Sequence, residues 1–267
     1  MNVLIAGSNG LLGSALFKRL SKLGLEVSKI NRFKKDDIHY EYCIQNPFIP
    51  LTKLKYDAII NCAYCYKDKK LDAYNINLVI NKNLIAFSRK NNIPIFINIS
   101  SMSAFDGCRS FYGNIKLLIE KEVSLINGYS FRLGLFDDQY PVGLIEKIYQ
   151  ISKLIPFFSV GIKSDNLPQY LTNLDKLSKF LEFFLKNRGV IKSDVYSLVN
   201  SEPLDFNEII FAATKKPPIK IPMPILKLTL FCYELLPLPK LRLNLDSLKG
   251  LTFPVIQVKN LINLEKF

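Results

Sequence analysis

Tyr112 and Lys116 stand four residues apart in the segment FYGNIK (111–116), so a helix would place both side chains on one face. A free phenol has a pKa of about 10 and is a poor acid–base catalyst at neutral pH. An ammonium group on the same helical face favours the phenolate and lowers that pKa. The segment ISSMSAFDG (99–107) lies just upstream. The pair is therefore a candidate for proton transfer, against the alternative of two surface residues on one helix turn.

A second chemical signal is the glycine-rich segment GSNGLLG, which places Gly7, Gly10 and Gly13 between an apolar run and a helical pattern. The backbone must turn tightly there, and the amides at the start of the helix can face a pyrophosphate. This strand–turn–helix context predicts a dinucleotide site. The predicted site consists of Gly7, Ser8, Asn9, Gly10, Leu11, Leu12 and Gly13.

Strands and helices alternate in the order needed to position both signals. Apolar runs typical of strands lie at 2–7, 25–30, 56–63, 93–101 and 129–136, and helical patterns lie at 11–24, 71–92 and 112–127. Strands joined by helices form parallel sheets. The sequence therefore predicts an α/β protein with a Rossmann-type, doubly wound parallel sheet.

The alternation weakens after about residue 137. Helical patterns at 141–153, 175–187, 206–214 and 224–236 are mixed with short strands and prolines. This change predicts an NAD(P)-binding domain over 1–137 and a small substrate-binding lobe formed mainly by 138–267. Parts of 170–200 are expected to return to the first domain.

The spacing G-x-x-G-x-x-G resembles that of the extended short-chain dehydrogenase/reductase family, which includes nucleotide-sugar epimerases, dehydratases and 4-ketoreductases. Further segments resemble the family's motifs in the same order along the chain. They are IINCA (59–63), AYNIN (73–77), ISSMSAFDG (99–107), the Y-x-x-x-K pair, FRLGLF (131–136), LTNLDKL (171–177) and VYSLVNSEPLDFNEI (195–209).

The resemblance implies roles for individual residues. Ser101 falls on the catalytic serine position, counting back from Phe105–Gly107, with Ser100 and Ser103 as alternatives. Tyr112 would transfer the proton, and Lys116 would both lower the pKa of Tyr112 and bond the nicotinamide ribose. Hydride would pass between the substrate carbon and the nicotinamide. The family's remaining cofactor contacts fall on Cys62, Ala63 and Asn77.

Two pairs of residues limit the reaction and the cofactor that are expected. Met102 and Ser103 stand where the family's dehydratases carry an acid–base pair of Asp and Glu, so dehydration is not expected. The second strand ends in Asn31 and Arg32 rather than in the acidic residue typical of NAD enzymes. An arginine there suits a 2′-phosphate, so NADP(H) is favoured and NAD(H) is the alternative. NADPH in turn suits net reduction.

Two departures from the family pattern concern substrate and adenine binding. Eleven positions separate Ser101 from Tyr112, whereas the family usually has a substrate-covering connection roughly twice as long. Cys43 stands where the family often has an aspartate near the adenine.

The expected function is NADP(H)-dependent reduction of a keto group on a nucleotide diphosphate sugar, in surface polysaccharide precursor synthesis. One alternative is an NAD-retaining nucleotide-sugar 4-epimerase. Another, favoured by the short connection, is a non-catalytic dinucleotide-binding regulatory protein. A homodimer is left open.

Charge and cysteine content indicate which other ligands and which cellular compartment are expected. The chain has 36 Lys and Arg against 23 Asp and Glu, a net charge of +13, which suits an acidic ligand or an anionic membrane surface. The basic residues are spread without a dense arginine run, so nucleic-acid binding is not expected. Five cysteines at irregular spacing indicate a reducing compartment, the cytoplasm.

Metal binding and membrane insertion are not expected either. Cys62 and Cys65 have C-x-x-C spacing, but there is no second cysteine pair and His39 is the only histidine. No signal peptide or transmembrane segment is expected. The segment 221–240 is expected to be an amphipathic helix that packs on the domain.

Overall fold

A computed structural model describes residues 1–30, 55–66, 70–138, 143–163, 167–187, 189–235, 245–251 and 258–267. Its centre is a sheet of seven parallel strands in the order β13-β10-β5-β4-β3-β1-β2. The strands of this sheet are β1 (Asn2–Ala6), β2 (Glu26–Ile30), β3 (Ala58–Asn61), β4 (Ile95–Ser101), β5 (Tyr129–Leu133), β10 (Val195–Val199) and β13 (Leu261–Asn263). The predicted Rossmann-type parallel sheet is therefore confirmed. Asn31, Arg32, His39 and Cys43 lie outside the described residues.

Helices cover the sheet and build the C-terminal part of the fold. The described helices are α1 (Leu11–Lys22), α2 (Lys70–Lys90), α3 (Phe111–Ser124), α4 (Gly143–Lys153), α5 (Leu174–Lys186), α6 (Phe206–Thr214), α7 (Met223–Leu235) and α8 (Leu245–Leu251), with a 3₁₀ turn at Leu264–Lys266. The short strands are β6 (Leu135–Asp137), β7 (Ser159–Lys163), β8 (Pro168–Gln169), β9 (Leu171–Asn173), β11 (Leu204–Asp205) and β12 (Pro218–Pro222).

The sheet is buried on both faces because successive strand residues point to opposite sides. On one side, the strands pack against α1 and α5 through a core that includes Val3, Ile5 and Phe131. On the other side, they pack against α2 and α3 through a core that includes Leu4 and Ile59. This burial explains why the strands appear in the sequence as continuous apolar runs.

The predicted strand 129–136 is interrupted at Gly134, which separates β5 from β6. A Cβ placed at Gly134 would lie 2.1 Å from the carbonyl oxygen of Tyr170. The Gly134 amide donates to Thr172 Oγ1 at 2.9 Å. The close approach of Gly134 to Tyr170 therefore interrupts the hydrogen bonding of this strand to the main sheet. β6 pairs with β9 instead of continuing in that sheet.

The C-terminal lobe has a separate core beside the carboxyl edge of the sheet. Its buried residues include Ile162, Phe206, Ile210, Leu226 and Leu230. The chain then returns to the main sheet, where β10 pairs with β5 and β13 pairs with β10. Within the described ranges, no helix is both long enough and apolar enough to cross a bilayer.

A buried ion pair fixes α3 to the sheet. Arg132 on β5 donates from Nε and Nη2 to the two carboxylate oxygens of Glu120 on α3, at 2.8 and 2.7 Å. The Ser100 hydroxyl on β4 donates to Glu120 Oε1 at 2.6 Å. Both charged side chains are almost fully buried. The forked geometry and the serine bond compensate the loss of hydration that burial imposes on the two charges.

We predict that Arg132→Met lowers the free energy of unfolding by about 3–5 kcal/mol, because it leaves the Glu120 carboxylate buried without its partner. Urea unfolding followed by circular dichroism would measure the change. The double variant Arg132→Met/Glu120→Gln removes both charges and should recover a large part of that loss. If the single and double variants lost equal amounts of unfolding free energy, the loss would not come from an unpaired Glu120 carboxylate.

Candidate active site

The glycine loop connects β1 to α1 and requires glycine at two positions. Gly7 has φ +77°, and a Cβ placed there would lie 2.7 Å from the Cα of Ala63. A Cβ at Gly13 would lie 2.3 Å from the carbonyl oxygen of Gly7. The loop therefore folds back on itself and against the end of β3, at distances that only a residue without a side chain allows.

The start of α1 has the character of an anion site. Gly10 is the N-cap and provides no side-chain cap, and the first turn of α1 contains no acidic residue. The first amides of a helix have no partner within it, so they are available to a ligand there. Among the described residues, a Cβ at Gly10 would approach only the Gly7 oxygen, at 3.2 Å, so this part of the structure leaves that side of the loop open. Ser8 is buried in the loop, whereas Asn9 and Leu11 are exposed.

The segment after β3 forms the next wall of the site. Asn61 Oδ1 accepts from the Ala63 amide at 3.0 Å, and the Cys62 amide donates to the Ala6 carbonyl at 2.9 Å. Asn77 on α2 accepts from the Cys65 amide at 2.7 Å and donates to the Cys65 carbonyl at 3.0 Å. In this structure the buried Asn77 side chain thus holds the wall in place.

Ser101, Tyr112 and Lys116 meet where β4 ends and α3 begins. The Ser101 side chain lies close enough to the Tyr112 hydroxyl to act against the rise in the pKa of the phenol. Lys116 Nζ lies 5.9 Å from the centroid of the Tyr112 ring and donates to the Ile99 carbonyl at 2.7 Å. Ser110 caps α3 by accepting from the Gly113 amide at 3.0 Å. Three residues singled out in the sequence are therefore brought together at one edge of the sheet.

The three candidate serines have different surroundings in the structure. Ser100 points to the opposite side of β4, where it bonds Glu120. Ser103 follows the strand, and its amide donates to Ser101 Oγ at 3.2 Å. Of these three serines, Ser101 is the one whose side chain acts on the Tyr112 hydroxyl. Strand alternation accounts for this difference, since neighbouring residues face opposite sides of a sheet.

Two further tyrosines border Tyr112 and were not singled out in the sequence. The ring centroids of Tyr64 and Tyr66 lie 4.8 and 6.2 Å from that of Tyr112. Tyr66 is 74% exposed and presents its ring at the mouth of the site. Their position directly after the apolar run of β3 was a usable signal, because residues following parallel strands line the ligand edge of such sheets.

The electrostatics correct one expectation from the sequence. The pKa of Tyr112 is raised well above its ordinary value, first by burial and then by the neighbouring Tyr66 and Tyr64. It is not lowered as the spacing to Lys116 suggested, because desolvation of the phenolate outweighs other effects. Burial lowers the pKa of Lys116 to about 8, against the opposing influence of Cys62 and Glu120. At neutral pH the site therefore holds a neutral phenol next to a mostly protonated lysine.

Asp246 on α8 is a third residue that the sequence did not reveal. Its two carboxylate oxygens accept from the amides of Phe111 and Tyr112, at 2.6 and 3.0 Å. A carboxylate is favourable at the first turn of a helix, where the amides lack partners and the helix dipole is positive. The C-terminal lobe thereby holds the start of the helix that carries Tyr112 and Lys116.

Comparisons with known proteins show what the sequence and the fold resemble. Residues 3–129 match the model of the NAD dependent epimerase/dehydratase family. A search of curated proteins gives no significant match.

Three solved structures illustrate the shared fold. The dTDP-4-dehydrorhamnose reductase of Bacillus anthracis in complex with NADP is 18% identical, with 83% of this chain and 84% of that chain covered and a TM-score of 0.62. The reductase of the same name from Clostridium acetobutylicum is 20% identical, with 83% of each chain covered and a TM-score of 0.63. The UDP-glucose 4-epimerase of Thermus thermophilus in complex with NAD is 16% identical, covering 94% of this chain and 97% of that chain with a TM-score of 0.61.

The fold is thus that of the extended short-chain dehydrogenase/reductases, a class of NAD(P)-dependent enzymes. The glycine loop and the Ser101, Tyr112 and Lys116 cluster all lie within residues 3–129, the part of the chain that matches the model of the NAD dependent epimerase/dehydratase family. The resemblance predicted from the motifs is confirmed.

We predict that Lys116 makes stability depend on pH in a specific direction. Since its pKa is about 8 in the folded protein, below the ordinary 10.5, the unfolded chain binds more protons between these values. The free energy of unfolding of wild type relative to Lys116→Met should therefore rise with pH across this window, by about 3 kcal/mol at most.

Urea unfolding at a series of pH values would measure the difference between wild type and Lys116→Met. Lys121→Met removes an exposed lysine from the same helix and serves as the matched control. A difference between wild type and Lys116→Met that falls as pH rises would show that Lys116 is stabilised in its charged form and would overturn the assignment.

Proposed function

We propose that the protein is an NADP(H)-dependent oxidoreductase that reduces a keto group of a nucleotide-linked sugar. The observation that carries this proposal is the cluster of Ser101, Tyr112 and Lys116 at the carboxyl edge of the sheet, where Lys116 is held by the Ile99 carbonyl. This is the edge at which ligands bind in doubly wound α/β sheets.

The side chains have the protonation states that reduction requires. Tyr112 carries its proton at neutral pH and can donate it to a carbonyl oxygen at the site. The Ser101 hydroxyl, close to that of Tyr112, can hold the same oxygen in place. Lys116 is fixed by the Ile99 carbonyl and keeps a positive charge near the oxygen as negative charge develops there. A bound nicotinamide dinucleotide would supply the hydride.

The glycine loop supports a dinucleotide cofactor. The uncapped start of α1 and the close backbone turn at Gly7 and Gly13 fit a pyrophosphate group. The solved structures cited above contain NADP in a reductase and NAD in an epimerase. The preference for NADP(H) rests on Arg32, which lies outside the described residues and suits a 2′-phosphate.

The substrate class follows from the relatives and from two residues. The similar structures are named as enzymes of dTDP- and UDP-linked sugars. Met102 and Ser103 have no carboxylate with which to expel water, which leaves reduction or epimerisation. We place the reaction in the cytoplasm, in the synthesis of surface polysaccharide precursors.

The second candidate is an NAD-retaining 4-epimerase. The observation that favours it is the likeness to the UDP-glucose 4-epimerase, which extends over 94% of this chain. The non-catalytic regulatory alternative is disfavoured because Ser101, Tyr112 and Lys116 are all retained and lie together.

We predict that Tyr112→Phe retains NADPH binding and loses about a hundredfold or more of its turnover, because it removes the proton donor. Loss of NADPH absorbance with a panel of 4-keto nucleotide sugars would measure the rate. Tyr149→Phe, which removes a hydroxyl in the C-terminal lobe, is the matched control. Full activity of Tyr112→Phe would refute the mechanism, and a wild type that binds NADPH but reduces no member of the panel would support the regulatory alternative.

We predict that Arg32→Ala weakens NADPH binding by about tenfold or more and leaves NADH binding nearly unchanged. A charge-assisted contact to the 2′-phosphate contributes roughly 1.5–3 kcal/mol, and NADH lacks this phosphate. Calorimetric titration with both cofactors would measure the two affinities. A wild type that prefers NADH would instead favour the epimerase.

A further inference from the structure

Helix α7 is apolar on two faces. Leu226 and Leu230 are buried in the core of the C-terminal lobe. Ile225, Leu228 and Phe231 point elsewhere and are 54%, 63% and 51% exposed. A surface helix normally presents polar residues on the side away from the core. The buried face anchors α7 to the lobe, and the second apolar face is available to a partner.

The exposed face continues into a cavity shared with α8. The cavity has a volume of about 440 Å³ and is lined by Lys227, Leu228, Phe231, Leu248 and Lys249. Its apolar side chains come from both helices, and the two lysines are exposed. We call Ile225 together with these five cavity residues the α7 surface.

The sequence around this surface is strongly basic. Residues 215–251 contain seven Lys and Arg against two acidic residues, Glu234 and Asp246. The carboxylate of Asp246 already accepts the amides of Phe111 and Tyr112. Apolar side chains bordered by lysines are typical of surfaces that bind anionic lipids, since the chains enter the headgroup boundary while the ammonium groups face phosphates.

We propose that the α7 surface docks the protein on an anionic membrane surface. Leu228 and Phe231 would enter the interface, and Lys227 and Lys249 would face lipid phosphates. A second copy of the chain is a poorer partner, because it would bring the same lysines together in two molecules that each carry a net charge of +13. The proposal concerns peripheral binding and does not depend on the proposed enzymatic function.

Co-sedimentation of the full chain with lipid vesicles tests this proposal. Wild type should bind vesicles that contain equal amounts of phosphatidylcholine and the anionic lipid phosphatidylglycerol. This binding should weaken as salt is added. Vesicles of phosphatidylcholine alone should bind it far less. Leu228→Ser/Phe231→Ser should reduce binding to the anionic vesicles by about tenfold or more, and Lys227→Glu/Lys249→Glu by a similar factor.

Matched variants outside the surface control for general hydrophobicity and charge. Leu125→Ser changes a residue that is 74% exposed after α3, and Lys22→Glu reverses an exposed charge at the end of α1. Both should bind like wild type. Failure of wild type to bind anionic vesicles, or equal binding by all variants, would overturn the proposal. A concentration-dependent dimer that Leu228→Ser/Phe231→Ser abolishes would assign the surface to a second copy instead.

Discussion

The buried contact between Glu120 and Arg132 is the interaction on which the arrangement of the site depends. It joins α3 to β5, and through Ser100 it also joins α3 to β4. Ser101 is the next residue on β4, and Lys116 lies one helical turn before Glu120. The same contact therefore sets the relative position of the strand and the helix that provide the candidate catalytic side chains. Two charges held in a dry interface tolerate little displacement, because both depend on the forked hydrogen bonds.

Burial at this junction also decides the protonation states. The aromatic rings of Tyr64 and Tyr66 border Tyr112, and burial of its hydroxyl favours the neutral phenol. Burial also lowers the pKa of Lys116 to about 8. A phenol that keeps its proton is suited to donate it, which supports the proposal that the reaction is a reduction. Asp246 adds a restraint from the opposite side by holding the first turn of α3.

The C-terminal lobe consequently has two roles in the structure. Its helix α8 contacts the start of α3 through Asp246 and lines the α7 surface through Leu248 and Lys249. The connection between Ser101 and Tyr112 is short, and α8 packs against α3 at that end. The surface proposed to bind a membrane is thus formed in part by the same short helix that restrains α3.

The sequence by itself determined the parallel sheet, the positions of its first five strands along the chain and the candidate cluster, because these depend on local periodicity and on motifs of fixed spacing. Ser101, Tyr112 and Lys116 needed only the strand–helix alternation to be placed at one edge. The tertiary structure decided the rest. Asp246 acts on Tyr112 across more than a hundred residues, and the break at Gly134 arises from a distant segment. The pKa of Tyr112 follows from its burial among side chains of other elements, which the spacing to Lys116 does not specify.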